Sequence, residues 1–239
     1  MAEKEKNEKQ EKKKGPKPQG QKPQGEKGKG SKKSKGEAQA AEVVDDTPAT
    51  PAPPARLAVK YRTEIAPAMA QTLGYKNTLA VPRLEKIVIS MGLGKYVTAG
   101  DKAKMDIAEK ELAQIAGQKP VRCKAKKAVS NFKVREGQET GLKVTLRGTR
   151  MYEFLDRLIS LAIPRVKDFR GLPPNGFDKN GNYNFGFTEQ TVFPEVDAAA
   201  VTFQQGMNVT MVINNANGAE GGRELLKAFG FPFETPEKK

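Results

Sequence analysis

The chain has 239 residues, 42 Lys and Arg against 28 Asp and Glu, a formal net charge of +14, and neither histidine nor tryptophan. The lack of histidine removes His-activated nucleophiles, the usual acid–base side chain and the commonest zinc ligand, while a single cysteine, Cys123, excludes an internal disulfide and points to a reducing compartment. No apolar run reaches the ~18 residues of a membrane span, and the charged N-terminus has no apolar segment behind it, so neither a membrane span nor a secretory signal is expected.

Residues 1–55 hold almost no large apolar side chain; Val43 and Val44 are the main exceptions. Residues 3–36 run through Lys, Glu, Gln, Gly and Pro, and 37–55 shift to Ala, acids and Pro, ending in Pro51-Ala52-Pro53-Pro54. Neither stretch can bury enough surface to offset its ordering entropy. A disordered N-terminal extension is expected over 1–55, a polyampholyte over 1–36 and a polyproline-like linker over 47–55. Thirteen lysines face nine acidic residues there, so +4 of the charge lies on the extension and +10 on the remainder, 56–239. A basic globular domain, unlike a basic tail, points to a polyanionic partner. About 180 residues suffice for a core without disulfides.

Leu57, Tyr61, Ile65, Met69 and Leu73 recur every four residues, a helical stripe. Pro67 inside it predicts either a helix starting near Thr63 or a kink, and Gly74 a stop. Glu85–Met91, centred on Ile87, Val88 and Ile89, reads as a strand ended by Gly92-Leu93-Gly94. Asp101 caps a predicted helix to Ile115, with Met105, Ala108, Leu112 and Ile115 inward and Gly117 as its end. Residues 119–140 interleave Lys119, Arg122, Lys124, Lys126, Lys127, Lys133 and Arg135 with small residues and Phe132. Their poor periodicity predicts an exposed basic loop or ribbon. After Gly141, Leu142, Val144 and Leu146 alternate with Lys143, Thr145 and Arg147, the cleanest strand pattern in the chain.

A helix is predicted from about Arg150 to Ala162, ended by Pro164, and turn residues fill 171–182. Tyr183, Phe185 and Phe187 form a strand, Val192–Val196 an edge segment with Pro194, and Met207, Val209, Met211 and Ile213 a last strand. Leu225, Leu226 and Phe229 mark a final helix closed by Gly230. Turn-linked strands between 183 and 213 argue against a parallel arrangement. The expected fold class is α+β, a mainly antiparallel sheet with helices packed on one face.

Catalytic constellations are weak. Glu189 with Glu195, or Glu153 with Asp156, resemble acid–base pairs, but the second pair falls on the polar side of a helix, where solvated charge pairs are the rule. Gly92-Leu93-Gly94-Lys95 lacks the further glycines of a dinucleotide fingerprint and the ending of a P-loop, and reads as a strand-ending turn. The stronger pattern is a basic ribbon beside a strand with one polar face. Lys and Arg neutralise phosphates, Thr, Asn and Gln bond a 2′-OH or base edge, and Phe stacks on an unpaired base.

Several ordered strings resemble bacterial large-subunit ribosomal protein five. They are Val81-Pro82-Arg83-Leu84-Glu85-Lys86, Gly117-Gln118-Lys119-Pro120, Lys143-Val144-Thr145-Leu146-Arg147-Gly148, Arg150-Met151-Tyr152-Glu153-Phe154-Leu155, Pro164-Arg165-Val166-Lys167-Asp168-Phe169-Arg170-Gly171-Leu172, Gly181-Asn182-Tyr183 and Phe231-Pro232-Phe233. The likeness covers about 57–233. It implies a cytoplasmic α+β protein of the ribosome's central protuberance that binds 5S rRNA, with 23S rRNA and neighbouring ribosomal proteins as further partners, no membrane partner, no cofactor and no enzymatic activity.

The resemblance assigns rRNA contact to Lys143, Thr145 and Arg147, the face chosen from alternation, and to Gln118. The family's Asn at the end of the first strand falls on Ser90, a departure. The family's tip loop, which faces the elbow of P-site tRNA and a small-subunit head protein, matches Lys124–Gly137. Its candidate contacts are Lys124, Lys126, Lys127, Asn131, Phe132, Lys133 and Arg135. Residues 1–55 have no counterpart in the usual family pattern, so the resemblance carries no role to them. Residues 56–239 form the expected RNA-binding domain, with a short C-terminal tail.

Overall fold

A helix opens the domain, and one proline decides its local geometry. α1 (Arg56–Lys60) passes through a π turn, Tyr61–Ile65, into α2 (Ala66–Thr72), with right-handed helical backbone at each junction. The helix therefore starts at Arg56 rather than near Thr63. In a regular helix the ring of Pro67 would meet the carbonyl of Thr63, and its nitrogen has no proton to donate. The widened turn before it makes the room. The computed structural model describes residues 53–199 and 201–234, all within one compact unit, 49–239. The extension up to residue 52 and the C-terminal tail lie outside the described residues.

β1 (Arg83–Gly92) follows, then the short α3 (Gly94–Thr98) and α4 (Lys102–Ala116). Asp101 stands at the head of α4 but makes no side-chain cap; its carboxylate instead takes Lys104 Nζ at 2.8 Å. Gly117 ends α4 in the left-handed region, at φ 62°, a conformation that glycine enters freely. β2 (Val121–Lys124) and β3 (Glu139–Leu146) form a long hairpin. β3 thus begins before Gly141, not after it. A Cβ on Gly141 would lie 2.7 Å from the Met91 carbonyl oxygen, so the glycine permits close approach of the two strands rather than breaking one.

α5 (Gly148–Arg157) runs into a second π turn, Leu158–Ala162, directly before Pro164 in the 3-10 turn Ile163–Arg165, which repeats the accommodation seen at Pro67. β4 (Tyr183–Phe187), β5 (Met207–Asn214) and α6 (Ala219–Phe229) complete the domain. The expected edge strand at Val192–Val196 is instead a 3-10 turn, Gln190–Val192, and a further turn closed by Val196 N–H donating to Phe193 O at 3.2 Å. Pro194 offers no ladder proton, and the apolar side chains of Val192, Phe193 and Val196 are buried without a strand. Gln190, fully buried, holds this region. Its Nε2 donates to Phe203 O at 2.7 Å and its Oε1 accepts from Gln205 N at 2.5 Å.

The five strands are all antiparallel, in the order β2-β3-β1-β5-β4. Ile87, Ile89 and Met91 of β1, Leu142, Val144 and Leu146 of β3, and Met207, Val209 and Met211 of β5 point to one face and are buried. α4 packs on β3 and α5 on β1, with α1 against α5. The alternate residues of the same strands form the other face.

Candidate nucleic-acid interface

Strand register fixes the open face. Across the sheet, Val121, Lys143, Ser90, Asn208 and Gly186 are successive partners in one row, and Thr145, Val88, Thr210 and Asn184 in the next. Directly paired residues of antiparallel strands stand side by side on one face. Ser90 and Lys143 are therefore neighbours, with Thr145 in the adjoining row. Arg147 lies one residue beyond β3, in extended backbone (φ −141°, ψ 162°) that continues the alternation. Lys143 and Arg147 are exposed, and among the described residues neither pairs with a carboxylate. Cations left free in this way can meet phosphates, and the hydroxyls beside them can meet sugars or base edges.

Gln118 stands elsewhere. It is in the connection from α4 to β2, in a hollow shared with Asp106, Glu109, Lys110 and Arg122, and the chain reaches the row only at Val121, the partner of Lys143. Sequence reasoning missed Asn184, Thr210 and Asn208. Their signal is the outward half of the alternation in β4 and β5, which the inward apolar half implies.

The loop Lys124–Gly137 is a braced extension of the β2–β3 hairpin. Ala125 N–H donates to Gln138 O at 2.8 Å, Gly137 N–H to Ala125 O at 3.0 Å, and Val129 and Val134 exchange backbone bonds at 2.9 and 3.2 Å. Ser130–Lys133 form the tip, closed by Lys133 N–H donating to Ser130 O at 2.9 Å, with Lys133 at φ 52°. Phe132 is 74% exposed at this tip. Lys124, Lys126, Lys127, Asn131, Lys133 and Arg135 are exposed along the loop, so all seven predicted tip residues share one projecting element. An exposed aromatic among cations suits stacking on an unpaired base.

Arg122, read from sequence as part of the basic ribbon, belongs to its root. The guanidinium donates to Glu109 at 2.6 Å, Asp106 at 2.7 Å and Glu139 at 3.1 Å. Hydrogen bonds to Glu109, then Asp106 and Glu139, raise its pKa further. Its charge is spent inside the protein, tying the hairpin to α4.

The carboxylates considered for catalysis are divided among cations on different elements. Asp156 accepts from Arg56 Nε at 3.1 Å, Glu195 pairs with Arg157, and Glu189 Oε1 lies 3.9 Å from Lys167 Nζ. The turn at Gly92–Lys95 ends β1 and leads into α3, with Leu93 N–H donating to Thr140 O at 3.0 Å.

The family model for ribosomal protein L5 matches residues 77–135, and the model for the C-terminus of the same ribosomal family matches 139–233. The large ribosomal subunit protein uL5 of Thermosipho africanus is 57% identical over 175 residues, covering 73% of this chain and 95% of that protein. That of Alkaliphilus metalliredigens is 54% identical over 179 residues, 75% and 98% of the two chains. That of Kocuria rhizophila is 49% identical over 180 residues, 75% and 94%. The matched region spans β1 to the end of α6, open face and hairpin included, and the chain belongs to the uL5 family of ribosomal proteins, a structural constituent of the large subunit in the cytoplasm and not an enzyme.

Proposed function

We propose that the domain from residue 56 onward binds 5S rRNA through the open face of its sheet, within the central protuberance of the large subunit. The observation that carries this is the unpaired cation–hydroxyl set Lys143, Thr145, Arg147 and Ser90 on the sheet face opposite the buried core. Lys143 and Arg147 take phosphates, and Thr145 and Ser90 take a 2′-OH or base edge. Gln118, in the connection before β2, joins the same RNA from the side, and adjoining 23S rRNA and ribosomal proteins complete the surroundings. The braced hairpin Lys124–Gly137 continues the β2–β3 ladder beyond the sheet. Its cations and Phe132 suit the elbow of P-site tRNA and the small-subunit head protein.

Competition among 5S rRNA, random-sequence RNA and duplex DNA at one matched salt concentration tests the reading. Selective retention of 5S rRNA is expected. Equal competition by all three would mean attraction by charge alone, which follows counterion release rather than sequence.

A further inference from the structure

The open face does not end at β1. Beyond Ser90 the row continues through Asn208 on β5 to Gly186 on β4, while Asn184, two residues before Gly186, faces Thr210. Three other asparagines of the domain, Asn182, Asn215 and Asn217, serve its own structure. Asn182 Oδ1 accepts from Ile213 N at 3.0 Å, Asn215 donates to Leu79 O at 2.9 Å, and Asn217 donates to the Tyr75 hydroxyl at 3.0 Å. Among the described residues, no hydrogen bond engages the side-chain amides of Asn184 or Asn208, and both residues are exposed. Asn and Gly are both poor strand formers. Three of them together on an open sheet face cost stability that Thr or Val would have contributed.

Gly186 lies between the two amides. A Cβ placed there would stand 2.9 Å from Asn208 Oδ1, so the amide of Asn208 leans over bare backbone. Gly186 also lines a groove of about 320 Å³ at the edge strand β4, together with Arg165, Lys167, Thr188 and Glu189. That volume lies at the lower end of the ~300–1,000 Å³ typical of small-ligand sites. Lys167 is partly countered by Glu189 at 3.9 Å, and Glu189 also accepts from Thr191 Oγ1 at 3.3 Å. Arg165 is exposed and has no carboxylate partner among the described residues.

We infer a nucleotide subsite at this corner, one that takes an unpaired ribonucleotide of the bound RNA. Asn184 and Asn208 each offer a donor and an acceptor to a base edge or 2′-OH. Gly186 supplies a floor with no side chain, so the sugar or base can approach the backbone. Arg165 and Lys167 meet the adjoining phosphate. A paired strand would keep its base edges engaged, and only a splayed nucleotide presents them to a flat sheet. The inference rests on the reading of the open face as an RNA surface and extends it by two strands.

The test uses the full chain, titrated with 5S rRNA, 23S rRNA and random-sequence RNA at several salt concentrations. Asn208→Ala is expected to weaken rRNA binding about two- to tenfold, the range for one lost hydrogen bond. Gly186→Ala should weaken binding at least as much, because its methyl group both displaces the Asn208 amide and covers the bare floor, and the double variant should lose no more than Gly186→Ala alone. Arg165→Ala with Lys167→Ala should lower the slope of log affinity against log salt by about 0.7–0.9, the share of the one phosphate they meet. Thermal melts identify a variant that fails to fold, and Asn208→Ala, on an exposed side chain, decides the matter if Gly186→Ala does. Wild-type affinity and slope in these variants, while Arg147→Ala weakens binding, would overturn the subsite and leave the wider reading standing. Loss of 5S preference with these same variants still weakening 23S binding would overturn the 5S reading and leave the subsite. A full chain that binds no RNA overturns both.

Discussion

Replacing Lys143 and Arg147, singly and together, separates the charge on the sheet face from its hydroxyls. The two residues are four apart in extended chain, about 13 Å at ~3.3 Å per residue. That exceeds the ~7–10 Å within which substitutions couple, so the two meet different phosphates and their effects should add. Each lost phosphate contact lowers the salt slope by about 0.7–0.9, and the double variant by about 1.4–1.8. Over a fourfold rise in salt, each contact makes the wild type lose about threefold more affinity than the variant lacking it. At one fixed salt, Arg147→Ala removes a charge-assisted bond worth ~1.5–3 kcal/mol, about ten- to a hundredfold in affinity. Thr145→Val should cost less, within the ~0.5–1.5 kcal/mol of a neutral bond. Ser90→Ala should cost least, because water can take the place of so short a hydroxyl; Ser90→Asn should be neutral or slightly tighter. Titration of 5S rRNA at four salt concentrations gives every term, with melting curves to confirm folding. A larger loss for Ser90→Ala than for Arg147→Ala, or a double variant with the wild-type slope, would refute this account of the face.

Three further outcomes follow from the same geometry. Shortening the hairpin between Val129 and Val134, or Phe132→Ala, should spare binding to isolated 5S rRNA and weaken tRNA and subunit contacts in assembled ribosomes; outright loss of 5S binding would place the hairpin in the primary site. Removing residues 1–52, which keeps Ala55 and its carbonyl as acceptor for Ala58 and Val59 N–H, should leave the melting temperature and 5S selectivity intact and flatten the salt dependence modestly, given the +4 of residues 1–55; lost selectivity would contradict a purely electrostatic role. Tyr183 is fully buried and donates to Pro173 O at 3.0 Å, and burial pushes its phenol up to about 12. The unfolded chain releases that proton first, near ~10, so the contribution of Tyr183 to stability is constant below that pH and falls between about 10 and 12, by at most ~1.4 kcal/mol per pH unit. Urea melts of wild type and Tyr183→Phe across this window should differ in slope, and identical slopes would dismiss the effect.

Strands were legible wherever one face is buried. The alternation of Leu142, Val144 and Leu146, and of Met207, Val209, Met211 and Ile213, marks the core side directly, and the open face with it. Val192–Val196 misled because a turn that buries Val192, Phe193 and Val196 leaves the same apolar density as a short strand. The partners of Arg122 were hidden for another reason. Asp106, Glu109 and Glu139 lie on α4 and β3, and only the packing of those elements brings them to one guanidinium. The tip at Ser130–Lys133 carries no glycine or proline, and Lys133 itself takes the left-handed position, so the ribbon was visible as exposed but its turn was not. Gln118 was visible only through resemblance; nothing in its local pattern distinguishes it.

The first helix also holds a lesson about spacing. In a regular helix each residue turns ~100°, so a side chain four positions on is displaced by ~40°. Four such steps from Leu57 would carry the stripe ~160° round by Leu73, almost to the opposite side. Yet Leu57, Ile65 and Met69 are buried, and Tyr61 and Leu73 pack against the same core. The π turn falls between Tyr61 and Ile65, and by unwinding the helix there it returns the drifting stripe to its partners, with Tyr61 set against Phe229 at 6.0 Å between ring centroids and its hydroxyl on Pro82 O at 2.9 Å. A strict interval of four is therefore itself a signature of an underwound helix, and Pro67 sits where that unwinding has already released the carbonyl it would otherwise strike.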